Sequence, residues 1–258
     1  MTDNQNRARE LRERLQLRHL NVEAGAFRLL GESRQIVSVA DDRLPASNVI
    51  YLMLDAEEPV NYLQWLASDD IQVLIEGGPA DYYLFGDDGT VSRITMGRDL
   101  AAGQQMIVHA PAGTAKAIVL HDSADYLLVG SVVTPAWSPT RVRIGADQGF
   151  LDQFTGTADW ATEEQLRKLI GPNFGEISGG DPDSLTLLVE DSGEIIFQGM
   201  QLSQQQAQTE ISRFAERHPG HMVTLRYTAR APEPLVEFLK QQIAENDLDL
   251  GTIAVGDH

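Results

Sequence analysis

From residue 49 to residue 144 the chain is a succession of short apolar runs broken by glycine, proline and acidic turns. Runs at 49–54, 62–66, 71–75, 80–85, 90–95, 106–109, 115–120, 126–133 and 142–144 each have the length of one strand, and 20–30 is a further strand region. Gly86-Asp87-Asp88-Gly89 between two runs is a hairpin signal. Pro111-Ala112-Gly113 makes a sharp corner, because proline fixes φ and glycine admits a conformation barred to other residues. Many short strands with such corners predict a jelly-roll barrel. A helix is predicted ahead of it over 3–15, capped by Thr2 or Asp3, with Ala8, Leu11 and Leu15 on one face. Arg7, Arg9, Arg12 and Arg14 crowd this helix and read as a solvated face paired with an acidic body.

Beyond the barrel the pattern changes. Thr162 followed by Gln165 starts a helix that Gly171-Pro172 ends. Residues 175–183, rich in Gly, Asp and Pro, read as a linker between a domain at 1–174 and a second at 184–258. In the second, runs at 185–189 and 195–197 flank Asp191-Ser192-Gly193. A Ser203-capped helix runs to about His218, and a strand follows at 222–227. A helix opened by Pro232 or Pro234 and a last strand at 252–255 complete the order ββαβαβ, a small α+β domain.

Composition narrows the function classes. In 258 residues, 38 acidic side chains against 20 basic ones give a net charge of −18, which repels phosphate backbones and argues against nucleic acid as a partner. No run of about eighteen apolar residues is present, so no membrane-spanning helix is expected. The N-terminus lacks an apolar signal core, and the expected location is cytoplasmic. Cysteine is absent, which removes disulfides and thiolate chemistry.

Asp70 precedes Gly77 by seven positions, and Pro111-x-Gly113 follows. These stretches resemble the two halves of the cupin motif. The segments 48–54, 96–100 with Gly103, and 127–137 are similar to the cupin-5 family, also called DUF985, over about residues 7–144. Where that family carries a His-Pro-Glu-Gly-Gly motif this chain has Asn21-Val22-Glu23-Ala24-Gly25, keeping the Glu and one Gly. The resemblance implies an all-β jelly-roll (cupin) barrel and pairing into a homodimer through that domain. Residues 184–256 resemble, by weaker motifs, the soluble domain of the ExbD/TolR biopolymer-transport family. That family's membrane helix and its acid are absent here.

A metal-binding cupin presents two His, an acid and a third His inside its barrel. Aligned on Asp70 and Gly77, the first two positions fall on Leu63 and Trp65, or one residue later on Gln64 and Leu66. The last falls on Lys116. Leucine has no donor and lysine is protonated at neutral pH, so neither a metal nor another cofactor is expected. His19, His109, His121, His218, His221 and His258 are scattered, and no Gly-x-Ser-x-Gly or phosphate-binding loop occurs, so no catalytic residue is singled out. The candidate polar lining of the barrel is Gln64, Asp70, Tyr82 and Lys116. Asp70 and Lys116 either pair inside the barrel or, one step of register away, lie on opposite faces. Two functions follow. One is a non-catalytic, metal-free cupin that binds a small polar ligand or acts as a dimerising scaffold, joined to a C-terminal interaction domain. The other is a metal-independent isomerase or epimerase of sugars or sugar nucleotides, which would need a base facing an acid or Tyr in the barrel.

Overall fold

The computed structural model describes residues 3–20, 22–39, 42–175, 178–179, 185–197 and 200–255. By internal packing the chain divides into two compact units, 1–137 with 141–178, and 138–140 with 179–258. The 175–183 segment read as a linker lies largely outside the described residues.

The first unit opens with α1 (Asp3–Arg14) and continues through β1 (Arg18–His19), β2 (Ala26–Glu32), β3 (Ile36–Val39), β4 (Asp42–Pro45), β5 (Asn48–Asp55), β6 (Val60–Leu66) and β7 (Asp69–Gly77). It goes on with β8 (Ala80–Phe85), β9 (Val91–Met96), β10 (Ile107–Ala110), β11 (Ala115–Leu120), β12 (Tyr126–Thr134) and β13 (Val142–Ile144), then α2 (Gln148–Phe154), α3 (Glu163–Ile170) and the short β14 (Ser178–Gly179). Two six-stranded sheets result, in the orders β1-β2-β5-β12-β7-β10 and β14-β13-β6-β11-β8-β9. Alternation decides which side chains each sheet turns inward. Leu52, Leu54, Leu74, Leu127 and Val129 of the first sheet meet Tyr82, Leu84, Met96, Ile118 and Leu120 of the second in one buried core.

The outer faces are covered differently. On the second sheet, Leu63, Tyr83, Phe85, Ala115 and Ala117 pack beneath α2 and α3. Asp147 caps α2, and the Thr162 hydroxyl accepts the amide of Gln165 at the start of α3, as the sequence pattern requires. On the first sheet, Ala8 and Leu11 of α1 sit against Met53, Tyr126 and Leu128. The arginines of α1 find acidic partners on the barrel: Arg7 donates to Glu76 at 2.8 Å and Arg12 to Asp55 at 2.6 Å. The Arg7 guanidinium, helped by the Tyr126 hydroxyl, holds Glu76 down to about 2. A carboxyl whose pKa is lowered on folding stabilises the fold above its ordinary value and loses that contribution as pH falls toward the lowered one. Denaturant midpoints of the wild type and Glu76→Gln should therefore differ slightly at neutral pH and converge between about 4.5 and about 2.

The second unit contains β15 (Leu185–Val189), β16 (Ile195–Phe197), β17 (Met200–Leu202), α4 (Gln204–Arg217), β18 (Met222–Thr228), α5 (Glu233–Glu245) and β19 (Asp249–Val255). Its sheet runs β17-β16-β15-β18-β19, with β15, β18 and β19 parallel. The expected ββαβαβ order gains a strand: β17 returns against β16 and the order is βββαβαβ. Ser203 and Gln206 form a reciprocal capping box on α4. Ile211 and Phe214 of α4 and Leu235, Leu239 and Ile243 of α5 are buried, as their helical spacing predicts. The first unit also holds a two-stranded ribbon, β3 with β4, which the sequence pattern did not predict.

Candidate functional site in the barrel interior

Asp70 stands one residue into β7 and faces inward. At the far end of β7, Gly77 adopts φ +81°, and a Cβ there would meet the Tyr126 carbonyl oxygen at 2.2 Å, so only glycine fits. At the opposite corner Gly113 has φ +82° and donates its amide to the Leu66 carbonyl at 2.7 Å. Asp69 secures the same corner by accepting the Ala112 amide at 2.9 Å. The two neighbouring acids thus do different work: Asp69 closes the turn and Asp70 enters the barrel.

Lys116, on β11, also faces inward, and its Nζ is in direct contact with Asp70 Oδ2. Their side chains are only 4% and 3% exposed. The Ser131 hydroxyl donates to Asp70 Oδ1 at 2.6 Å, and Gln72 Nε2 donates to Oδ2 at 2.9 Å. Gln72 is aimed by the Tyr82 hydroxyl, which donates to its Oε1 at 2.7 Å. Burial, reinforced by the Asp70 charge, raises the Tyr82 phenol well above its ordinary value, so it remains a donor. Every lone-pair direction of Asp70 used here points at a group from the chain itself, which is what makes a buried charge tolerable.

Gln64 belongs to a second knot. It is the cross-strand partner of Lys116 and donates to Asn61 Oδ1 at 2.9 Å. Asn61 Nδ2 in turn donates to the carbonyls of Glu23 and Ala24, at 3.1 and 2.9 Å. Glu23 is itself buried. Desolvation raises its carboxyl above the usual range, while a hydrogen bond from its own backbone amide, and after it Lys116 and His19, pull it back. All four predicted interior residues, Gln64, Asp70, Tyr82 and Lys116, are therefore buried, and three of them share one connected cluster. Glu23, Asn61, Gln72 and Ser131 were not singled out. Gln72 was readable from the two-residue period starting at Asp70, and Glu23 from the motif it preserves. Ser131 becomes a neighbour only because β12 lies beside β7.

The family model described as the Cupin superfamily (DUF985) matches residues 9–144. The chain belongs to the Cupin_5 family. Among solved structures, a hypothetical protein from Leishmania major aligns at TM-score 0.56 with 19% identity, over 63% of this chain and 97% of its own. A protein from Shewanella oneidensis aligns at TM-score 0.52 with 22% identity, over 63% and 96%. Both similarities bear on the fold alone. An oxalate decarboxylase from Bacillus subtilis aligns at TM-score 0.35 with 13% identity over 48% of this chain and 29% of its own, a level that carries no argument about activity. No curated protein matches the chain. Nothing in these comparisons supports the likeness of residues 184–256 to the ExbD/TolR domain.

For this Cupin_5 barrel the donor set does not fit a transition metal. Leu63 lies on the outer face beneath the helices, with Trp65 packed against the same cluster. Of the inner pair, Gln64 is tied to Asn61 and Leu66 has no donor. At the third position stands the Lys116 ammonium, which repels a cation. Among the described residues no group of three His, Cys, Asp or Glu side chains comes together to hold an ion.

Proposed function

We propose that this protein is a non-catalytic cupin whose barrel serves as a dimerising scaffold and whose C-terminal α+β domain engages a partner. The observation that carries this reading is the closure of the polar centre on itself. Asp70 is engaged by Lys116, Ser131 and Gln72, so the groups a substrate would need are already committed to one another. An isomerase or epimerase would need a free base beside an acid or Tyr, and Tyr82 is spent orienting Gln72.

The outer face of the first sheet supports the pairing. α1 covers only part of it. Toward the β7–β10 edge, Val73, Ile75 and Ile107 remain exposed, with Val73 and Ile107 directly opposite across the strands. An uncharged stripe on a chain of net charge −18 is where a second copy can approach without repulsion, and an isologous two-fold contact brings the same stripe of both copies together. Light scattering of the full chain should give the mass of a dimer, and Ile107→Glu should reduce it to that of one chain. A wild type that stays monomeric at high concentration overturns the reading.

A second reading, a small polar ligand near Gln64, Asp70, Tyr82 and Lys116, is favoured by the gathering of buried polar side chains there, with Asn61, Gln72 and Ser131 beside them. A thermal-shift screen of sugars and nucleotides tests it, since a ligand that binds only the folded state raises the midpoint.

A further inference from the structure

Asp70 and Lys116 belong to different sheets. Asp70 lies on β7 and Lys116 on β11, with a sequence separation of 46, and no backbone ladder joins those two strands. On the neighbouring strands Ala110 and Val133 stand beside Asp70, and Leu84 and Gln64 beside Lys116. An amine and a carboxyl held in contact inside a water-poor core have the proximity that turns a slow bimolecular reaction into a fast intramolecular one.

We propose that Lys116 and Asp70 condense into an intramolecular isopeptide bond that ties the two sheets of the barrel together covalently. Lys116 first passes a proton to Asp70 Oδ2, leaving a neutral amine against a carboxylic acid. The Nζ lone pair then forms the N–Cγ bond, and Oδ1 takes the negative charge. The Ser131 hydroxyl, 2.6 Å from Oδ1, stands where an oxyanion donor is needed. The Cγ–Oδ2 bond breaks as the charge on Oδ1 returns to a carbonyl. Oδ2 leaves as water, carrying the proton it received and a second one from the attacking nitrogen. Gln72, 2.9 Å from Oδ2 and held by Tyr82, steadies the departing oxygen. The products are one amide and one water, and no oxidant, metal or cofactor is consumed.

The chain contains no cysteine, so a disulfide cannot supply this tie.

The test is the intact mass of the denatured full-length protein. It should be one water lighter than its sequence requires, and a digest should contain one species joining the Asp70 peptide to the Lys116 peptide. A mass equal to the sequence value overturns the proposal, and so does a lost water without the joined peptide. Lys116→Arg and Asp70→Ala should each restore the full mass. None of these readouts depends on the oligomeric state, so the cross-link and the scaffold reading stand or fall separately.

Discussion

Lys116→Ala should destabilise the barrel by about 3–5 kcal/mol, the usual range for removing one partner of a buried pair. The loss has an identifiable origin. Asp70 would stay at 3% exposure with only Ser131 and Gln72 to satisfy it, and its charge would have no counterpart in an apolar core. The urea midpoint should fall accordingly. Adding Asp70→Asn to Lys116→Met should recover a large part of the difference, because asparagine still accepts from Ser131 while no buried charge is left over. A Lys116→Ala protein as stable as the wild type would show that the pair does not hold the sheets.

Phe85→Ala is the second large effect, about 3–5 kcal/mol. Phe85 is 1% exposed and meets Phe150, Phe154 and Trp160 edge-on, at centroid distances of 5.0, 5.1 and 5.7 Å. These rings fasten α2 and the α2–α3 turn to the outer face of the second sheet. Truncation removes the buried area and three aromatic contacts together, and the rigid sheet limits collapse around the cavity. The near-ultraviolet circular dichroism of the aromatic cluster should weaken along with the thermal midpoint. An unchanged spectrum and midpoint would mean that α2 and α3 are anchored elsewhere.

Local chemistry made much of this legible. The Asp70–Gly77 spacing and the Pro111-Ala-Gly113 corner announced the barrel. Thr162 with Gln165, and Ser203, announced two helix starts. Legibility ended where structure depends on pairing. The facing of Lys116 depends on which face β11 turns inward: Ala115 and Ala117 lie beneath the helices while Ile118 and Leu120 enter the core, and a strand apolar on both faces does not say which is which. Ser131 sits in an apolar run and acquires meaning only from the strand beside it. The β3–β4 ribbon and β17 were missed because four and three residues are too few to establish a period.

The position of β12 has a consequence for how the chain is made. It lies in the middle of the first sheet, paired along its length with β5 on one side and β7 on the other, yet residues 126–134 come after all the other strands of that sheet. At about 5–20 residues per second, several seconds pass on the ribosome between the emergence of β5 and that of β12. During that interval β1-β2-β5 and β7-β10 are separate ribbons, each with an apolar face and an open edge. α1 must wait as well, because Tyr126 and Leu128 form part of its seat. The nascent chain is thus most prone to aggregate just before its central strand arrives, and a cell producing this protein needs to shield those two edges until β12 closes the gap.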